Sequence, residues 1–496
     1  MRKYIKPSQT NLILVFVLIF FQFHCLLNPI VRELLDLDPS KKKNNLLQLS
    51  ILLGLYGGPS ATVTPSVGCV ILANTKIRVV FNRSMNPTSL SAVLGTPLDQ
   101  TWSNTFAAND TVDLSGSLPV GKNSFQLDGN DSNGFRLATV TGNYTVLATN
   151  TNLYYVSPSG NNGNPGTTPG SAKLTIPSAI TGATAPAAIL VSEGNYPVDS
   201  GLGTQVSLVN NVSLYGGFSS DFLNRNSNLY ITKIEDTTVS VVPDSLTISA
   251  GATITSSTIL DGFTIRGSSN PNATTGTFMA IYCFSGSPTI TNNRVEAGSN
   301  INGNSVGILL ESSSANIANN TIHGGVSTTQ STFGISVGLS SSPTITSNVI
   351  YEGNALDSAH GIYNTPDANT PTIINNTVAG GTGNISYGLN SSHPSNSIVT
   401  GNSFDGGTGN TSMAIYHGFG AGNVNAYQQN TLFTTGGTTR YCFYEGGGTN
   451  PISFNGNRLY NCPTALYFDN ATTFINDIGT INGGTAGGAS FTGNYQ

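Results

Sequence analysis

Few side chains in the later part of this sequence could take part in acid–base chemistry, because only twelve residues from position 271 onward are charged. Counting three positions past each of seven regularly spaced asparagines gives one column of residues: Glu296, His323, Tyr351, Ala379, Asp405, Phe433 and Tyr460. Acid, imidazole and aromatic groups that lie close together can bind a sugar or a metal ion. We therefore predict a candidate cluster of Glu296, His323 and Tyr351, with Glu352 beside it. The simpler interpretation is a solvated outer face without a function.

The scarcity of charge also argues against catalysis. A glycosidase needs two carboxylates about 5–5.5 Å apart for retention or about 6.5–9.5 Å apart for inversion. This part of the chain contains no adjacent aspartates and no arginine–lysine dyad, since Lys233 is the last lysine. The histidines that follow the N-terminal region, His323, His360, His393 and His417, fall at different positions of the repeat. We therefore expect no stacked metal site and no resident cofactor, and we favour a non-enzymatic protein.

An internal repeat positions these residues. The motif Pro-Thr-Ile-x-x-Asn-x-(Val/Ile) is clearest at Pro288, Pro343 and Pro371, and its asparagine recurs in steps of 26 to 28 residues. The recurring asparagines are Asn293, Asn320, Asn348, Asn376, Asn402, Asn430 and Asn457. A second register of aliphatic residues, with steps of 26 or 27 residues, comprises Ile281, Ile308, Ile335, Ile362, Leu389 and Ile415. Two independent registers thus keep one period.

The period predicts the fold. A repeat near 27 residues is too short for a βαβ unit, and it lacks helical spacing. Short strands between Gly, Asn and Ser corners instead predict a right-handed parallel β-helix, with one three-stranded coil per repeat. Residues 186–496 would form about ten or eleven coils, roughly 50 Å long at the strand spacing of a sheet. The asparagines would form a structural ladder at a tight bend, where each unpaired buried amide would cost roughly 1–3 kcal/mol.

One further repeated column precedes each Gly/Ala–aliphatic pair. It holds Met279, Val306, Phe333, His360, Tyr387, Met413 and Tyr441. Such a mixed aromatic and apolar column is either a strip on which sugars stack or a packing surface beneath a loop.

The segment before the repeats resembles the first coil of the pectate-lyase-like superfamily of parallel β-helices. The resemblance rests on Tyr154-Tyr155-Val156-Ser157-Pro158-Ser159-Gly160, the Gly/Asn loop that follows, and the strand Ile189-Leu190-Val191 that closes in Glu193-Gly194-Asn195-Tyr196. It implies a cap over residues 150–200 with a short helix, and a β-helix domain over 150–496. It also implies an alternative function as a polysaccharide lyase or glycoside hydrolase, with calcium expected only in that case. Asn161 and Asn162 replace the acidic residue often found in this loop.

Residues 59–149 predict a small β-sandwich. Ile77–Phe81, Val112–Leu114, Ser124–Leu127 and Tyr144–Leu147 read as strands separated by turn residues. The stretch from Lys76 to Pro87 resembles the opening of bacterial Ig-like domains of surface proteins, in which a strand ends in a phenylalanine, a polar residue and a buried methionine. The resemblance implies a spacer or an adhesive unit.

The N-terminus predicts export. Arg2, Lys3 and Lys6 precede an apolar run over residues 12–23, which has the length of a signal peptide. Cys25 follows, and the arrangement resembles a spirochaete-type lipoprotein signal. The resemblance implies a signal peptide over 1–24, lipidation of Cys25 and a tether over 25–58. We expect an outer-membrane lipoprotein that is displayed at the cell surface and serves adhesion, ligand binding or envelope structure. Polysaccharide or a host ligand are its expected partners, besides the membrane. The alternatives are a cleaved secretory signal with an incidental cysteine, or an uncleaved anchor.

Composition agrees with an exported all-β chain. Charged residues make up 9% of the sequence and 57 residues are glycine, whereas about 25% is the usual charged share. The net charge of −5 and the absence of lysine beyond Lys233 argue against a nucleic-acid partner. Cys442 and Cys462 are close enough in sequence to bridge neighbouring turns in an oxidising compartment. We favour the other interpretation, in which they are small buried hydrophobic residues.

Overall fold

The computed structural model describes residues 58–240, 242–270, 275–392, 396–418, 425–447, 450–484 and 491–496. The predicted signal peptide, nearly all of the predicted tether and the lipidation site Cys25 lie outside the described residues. Within the described part of the chain, no helix is both long enough and apolar enough to cross a membrane.

Two β-sheets form the N-terminal β-sandwich. One sheet has the strand order Ala61–Thr64, Ile77–Phe81, Thr111–Ser115, Asp99–Ser103, and the other has the order Val70–Leu72, Val140–Leu147, Gly121–Asp128, Ser91–Leu94, Thr96–Pro97. Strand Ile77–Phe81 alternates buried and outward residues, so that Ile77, Val79 and Phe81 enter the core between the sheets. Met85, which follows this strand, is also buried.

Three parallel sheets, named A, B and C here, make up the β-helix. Sheet A contains Asn152–Val156, Ala187–Ser192, Val212–Phe218, Ile259–Asp261, Thr289–Thr291, Asn316–Ala318, Thr344–Thr346, Thr372–Ile374, Ile398–Thr400, Ala426–Gln428 and Ser453–Asn455. Sheet B contains Gly194–Val198, Thr232–Asp236, Thr264–Arg266, Arg294–Glu296, Thr321–His323, Val349–Tyr351, Thr377–Ala379, Ser403–Asp405, Thr431–Phe433 and Arg458–Leu459.

Sheet C contains Val206–Ser207, Ser245–Ala250, Thr277–Phe284, Asn304–Glu311, Thr332–Gly338, Ser358–Asn364, Ile385–Ser391, Thr411–His417, Thr439–Glu445 and Ala465–Asp469, with Thr473–Ile475 antiparallel at its end. Short strands Ser299–Asn300, Val326–Ser327 and Asn354–Ala355 pair in a corner between sheets B and C. The predicted all-β fold, a parallel β-helix preceded by a small β-sandwich, is confirmed. The coils begin earlier than residue 186, because Asn152–Val156 already pairs in parallel with Ala187–Ser192.

Both ends of the β-helix are closed by short helices. Helix Ile176–Gly182 starts at Thr175, whose side chain accepts a hydrogen bond from the Ser178 amide, and it buries Ile176, Ala179 and Ile180 under the first coil. At the other end, helix Ile478–Asn482 follows Asp477 as its N-cap and buries Ile481. The described 3-10 turns are Pro87–Ser89, Pro169–Ser171 and Ser200–Leu202.

The interior consists of aliphatic side chains stacked in columns. The middle residue of each three-residue strand in sheet B points inward, and this column includes Ile265, Val295, Ile322, Ile350 and Val378, all almost fully buried. Burying one such side chain contributes roughly 1.5–3 kcal/mol. Because side chains alternate along a strand, the residues on either side of this column point outward.

The seven predicted asparagines hydrogen-bond in series at the corner between sheets A and B. The Nδ2 of each asparagine donates to the Oδ1 of the asparagine one coil later over 3.0–3.2 Å. The same Oδ1 also accepts from the backbone amide of the earlier asparagine, as Asn320 Oδ1 does from the Asn293 amide. The preceding corner residue adopts a left-handed conformation, as at Asn292 (φ 55°) and Asn319 (φ 57°), which asparagine tolerates well. The series continues beyond Asn457 to Asn494, because the chain folds back after its last helix.

The cysteine prediction is wrong for one pair. Cys442 and Cys462 form a disulfide, with Cα atoms 5.5 Å apart. Cys442 lies on strand Thr439–Glu445, and the corner that carries Cys462 runs alongside the same strand, where the Arg440 amide donates to Thr464 Oγ1 over 2.8 Å. Cys69 and Cys283 are free and buried, as expected for small hydrophobic residues.

The β-sandwich packs against the outer face of sheet A at the first coils. Outward residues of that sheet, including Leu190 and Tyr215, share a buried cluster with the sandwich core. The Ser66 amide also donates to the Leu223 carbonyl over 3.0 Å. This junction involves sheet A, and sheet B carries the residues described next.

Candidate functional site

The candidate residues lie on the outer face of sheet B in one column, which we call the stripe. Strand pairing aligns Glu296 with His323 and His323 with Tyr351. The same column extends backwards, because Glu296 aligns with Arg266 and Arg266 with Glu235. It extends forwards through Ala379, Asp405, Phe433 and Tyr460. Since paired strands are about 4.8 Å apart, adjacent members of the stripe are close neighbours.

An ion-pair network occupies the first part of the stripe. Arg266 bridges Glu235 and Glu296, with nitrogen–oxygen distances of 3.2 and 2.8 Å. Arg294 Nε, from the neighbouring outward column, donates to Glu296 Oε1 over 2.7 Å. Lys233 pairs with Glu235 over 2.7 Å. Three cations thus face two carboxylates, which leaves one positive charge in excess.

Glu296 is held in its ionised form. Partial burial opposes ionisation, but the hydrogen bonds from Arg294 and Arg266 outweigh it, so the pKa of Glu296 lies below its ordinary value. A carboxylate in this state cannot serve as a general acid near neutral pH. Its role in the stripe is to orient the two guanidinium groups.

His323 joins the charged part of the stripe to its aromatic part. Its ring stacks on Tyr351 with centroids 4.5 Å apart and planes inclined by 9°. Burial and the nearby positive charge of Arg294 lower its pKa, so the imidazole is neutral at pH 7. His323 Nε2 is buried and has no hydrogen-bond partner among the residues that the structure describes.

A depression of about 280 Å³ opens beside these groups. It is lined by Arg266, Ser269, Arg294, Glu296, Ala297, Gly298, His323 and Gly325. The Arg294 side chain is 51% exposed, and beyond Glu296 its guanidinium has no partner in the described part of the chain. The depression therefore offers a charged donor and a neutral imidazole to a bound molecule.

Glu352 does not belong to this outer cluster, contrary to the sequence-based prediction. It is fully buried, and its Oε2 accepts from the Gly381 amide over 2.9 Å and from Ser386 Oγ over 2.6 Å. The chain turns after Tyr351, so the next side chain points inward at the corner. Glycines make room for it, since a Cβ at Gly381 would lie 2.8 Å from Glu352 Cβ. Burial raises the pKa of Glu352 well above its ordinary value.

Sequence reasoning missed Arg266 and Glu235. The count along the stripe began at Asn293, but the preceding coil has Phe263 at the ladder position. The Phe263 amide donates to Asn293 Oδ1 over 2.9 Å, and Arg266 lies three residues later. The segment Leu260-Asp261-Gly262-Phe263-Thr264-Ile265-Arg266 matches Ile290-Thr291-Asn292-Asn293-Arg294-Val295-Glu296 in its apolar positions. This match would have extended the count by one coil, to Arg266.

Among the described residues, no three His, Cys, Asp or Glu side chains are grouped as ligands would be. In the Gly160–Gly166 loop, the Lys173 ammonium group donates to the carbonyls of Asn162 and Asn164 over 3.1 and 2.8 Å. The protein's own cation thus occupies the carbonyl groups of this loop.

The second aromatic column, on sheet C, is a packed stack. The ring of His360 lies between those of Phe333 and Tyr387, with both centroid distances 4.8 Å and interplanar angles of 10° and 9°. Both faces of the His360 ring are therefore covered by neighbouring rings. These faces cannot stack on a sugar, so packing is the better interpretation of this column.

A regular parallel β-helix with a row of ion-paired and aromatic side chains defines a solenoid protein with a candidate ligand-binding face. Residues 158–436 match the family described as "Protein of unknown function (DUF1565)". This range covers more than half of the 496 residues, and the chain belongs to that family. No curated protein matches the sequence.

Three solved structures show a weak similarity to this chain. The complex of XylC with xylose has 9% identity and a TM-score of 0.34, over 69% of this chain and 82% of that one. The family 28 exopolygalacturonase of Yersinia enterocolitica has 10% identity and a TM-score of 0.28, over 88% and 96%. The catalytic unit of the GH87 α-1,3-glucanase of Streptomyces thermodiastaticus has 13% identity and a TM-score of 0.30, over 84% and 88%. Identities this low leave the function to be argued from the site.

Proposed function

We propose that this protein is a lipid-anchored surface protein whose β-helix binds an acidic polysaccharide at the charged end of the stripe. The observation that carries the proposal is the depression between Arg266, Arg294 and His323. Guanidinium groups bind carboxylates through two parallel hydrogen bonds, and a uronate residue supplies such a carboxylate. The excess positive charge of the network attracts an anionic chain, although the net charge of the protein is −5.

A binding role fits the carboxylates better than a hydrolytic one. Glu296 is paired with two arginines, and Glu235 lies two strands away with Arg266 between them. Inverting and retaining glycosidases need one carboxyl group that is free to give a proton and another that is free to attack or activate water. The ionised, paired Glu296 supplies neither group.

Affinity electrophoresis tests the proposal. The protein is run in native gels that contain polygalacturonate, alginate, or a neutral glucan at equal mass. We expect the acidic polymers to retard the protein, and the effect to weaken as salt is added, because salt screens exposed charges. Equal mobility in all gels would refute the acidic ligand. Arg136→Gln, which removes one positive charge from an exposed ion pair on the β-sandwich, is the control and should be retarded as wild type is.

A second candidate function is β-elimination of a uronate, and one observation favours it. The half-buried imidazole of His323 is neutral, lines the depression, and lies between Arg294 and Tyr351. In this reaction the C5 proton would pass to the imidazole of His323, and its electron pair would form the C4–C5 double bond. The C4–O bond would break, and the leaving oxygen would take a proton from the Tyr351 hydroxyl.

The two functions differ in their products. Elimination creates an unsaturated uronate, which absorbs ultraviolet light, whereas binding alone changes no absorbance. We expect no product from wild-type protein incubated with polygalacturonate or alginate, with or without calcium. An increase in absorbance that is lost in His323→Gln would instead establish the lyase.

The anchor is part of the same proposal. It rests on Arg2, Lys3 and Lys6, the apolar run and Cys25. We propose an outer-membrane lipoprotein in which the sandwich serves as an Ig-like spacer between lipid and β-helix. The wild-type protein should partition into detergent, and Cys25→Ala should release it or leave an uncleaved precursor. Unchanged partitioning of a normally cleaved variant would contradict lipidation.

A further inference from the structure

Beyond the charged end, the stripe contains a gap between two aromatic stacks. One stack is His323 with Tyr351, and the other is Phe433 with Tyr460, whose centroids are 5.2 Å apart with planes inclined by 9°. The ring separations are close to the strand spacing, so the ring faces point along the helix axis. The face of Tyr351 opposite His323 and the face of Phe433 opposite Tyr460 are therefore directed toward each other.

The two positions between these rings leave the gap open. Ala379 aligns with Tyr351 and presents only a methyl group. Asp405 aligns with Phe433, but it is 6% exposed because its Oδ1 turns away to accept from the amides of Gly407 and Thr435, both over 2.9 Å. Three strand steps of about 4.8 Å separate Tyr351 from Phe433, so the two rings that end the slot lie about 14 Å apart.

The side of the slot is lined by hydroxyl groups. Thr377, Ser403 and Thr431 align in the neighbouring outward column of sheet B. Their hydroxyl groups have no hydrogen-bond partner among the residues that the structure describes, and all three residues are exposed or half-buried. In the two outward columns from Tyr351 to Phe433, Asp405 is the one carboxylate, and its Oδ1 is already hydrogen-bonded to the backbone.

We infer that this slot binds a neutral saccharide, with a pyranose ring packed on the open face of Tyr351 or of Phe433 and its hydroxyl groups bonded to Thr377, Ser403 and Thr431. Open aromatic faces beside free hydroxyl groups supply both interactions that a sugar ring can make. The outward residues between Tyr351 and Phe433 include no cation, so the carboxylate of a uronate would find no charged partner at this position. The inference rests on the proposed polysaccharide binding and places neutral sugar units of the ligand next to its acidic ones.

The sequence offers a variant that closes the slot without removing any contact. The stripe already holds rings at positions 323, 351, 433 and 460, so Ala379→Tyr continues the stack. Ala318→Tyr is its matched control, because Ala318 is half-buried on a strand of sheet A. Tyr351→Ala removes one open face, and Phe284→Ala removes a ring of similar exposure on sheet C.

The test is titration calorimetry of the full-length protein with cellotetraose, xylotetraose and mannotetraose, and with tetragalacturonate as the acidic probe. We expect at least one neutral tetrasaccharide to bind, and Tyr351→Ala and Ala379→Tyr each to weaken it about tenfold or more, as the loss of a stacking contact implies. The two controls should bind as wild type does, and Tyr351→Phe, which keeps the ring, should weaken binding less than Tyr351→Ala. Melting curves identify any variant that is unfolded, and Phe433→Ala then replaces Tyr351→Ala.

The outcomes separate the slot from the proposed function. If tetragalacturonate binds but no neutral tetrasaccharide does, or if Ala379→Tyr binds neutral sugar like wild type, the slot is wrong and the acidic site stands. If neither class of sugar binds, both are wrong.

Discussion

At the residue scale, the asparagine ladder is the main polar element of the fold. Asn348 Nδ2 donates to Asn376 Oδ1 and to the carbonyls of Ile317 and Thr346, over 2.9–3.1 Å. Its Oδ1 accepts from the amide and the side chain of Asn320. Four of these five hydrogen bonds are buried, so the side chain of Asn348 satisfies several buried neighbours at once.

Asn348→Ala should therefore lower the free energy of unfolding by roughly 1–3 kcal/mol for each group left unpaired. Asn316→Ala is the control, because Asn316 is exposed and its side chain has no partner in the described chain. Thermal and urea unfolding measure both variants. Equal stability of Asn348→Ala and wild type would show that the asparagine ladder does not contribute to the free energy of unfolding.

Glu352 is a second residue whose burial has a measurable consequence. Its pKa in the folded protein lies above the ordinary value of 4.5 because burial disfavours the charged form. Between these two values the folded state keeps a proton that the unfolded state has lost, so stability decreases as the pH rises. Glu352→Gln should be less sensitive to a rise from pH 5 to pH 8 in urea unfolding. If Glu352→Gln shows the same pH dependence as wild type, buried Glu352 is not its cause. Glu193→Gln is the control: Glu193 is exposed, so this variant should keep the pH dependence of wild type.

At the element scale, the ring stack on sheet C makes the stability of the folded protein depend on pH. His360 lies between Phe333 and Tyr387, and burial lowers its pKa from 6.5 to about 3. Below pH 6.5 the unfolded chain binds a proton that the folded chain does not, so stability is lost as the pH falls.

His360→Phe keeps a ring in the stack and removes the titrating group. We expect wild type to lose about 1–2 kcal/mol between pH 7 and pH 5 relative to this variant. Urea unfolding at both pH values measures the difference. Tyr363→Phe, which alters an adjacent ring, should retain the wild-type loss. If His360→Phe is as acid-sensitive as wild type, the buried imidazole is not the cause.

The coils could be predicted from the sequence, because residues at the same position of the repeat occupy the same place in each coil and are buried alike. Ile290, Ile345 and Ile373 recur at one position of the motif, and all point into the interior. The candidate site was predicted only in part. Counting along the ladder found His323 and Tyr351, but it missed Arg266, because Phe263 replaces the asparagine in that coil. It also placed Glu352 outside, because a turn after the strand reverses the side-chain direction. Pairing of Cys442 with Cys462 depends on a corner whose path the repeat does not encode.

At the scale of the whole molecule, the β-helix presents a long, regular face. The sandwich packs against sheet A, while the stripe on sheet B runs from the ion pairs at Glu235 to the ring of Tyr460. A rigid row of this kind suits a polymeric ligand, since each coil adds one side chain at a fixed spacing. The charged end, the stacked imidazole and the aromatic slot are successive parts of the same row.

The most direct test of this account is the affinity of the full-length protein for an oligouronate. Wild type and the double variant Arg266→Gln/Arg294→Gln are titrated with tetragalacturonate and with an oligomannuronate of equal length, and circular dichroism shows that both proteins are folded. We predict that wild type binds at least one of them, and that the double variant binds it at least about tenfold more weakly, because the charged hydrogen bonds to the carboxylate are lost. Equal affinity of the two proteins, or no binding by wild type, would contradict the proposal that the charged end of the stripe binds an acidic polysaccharide.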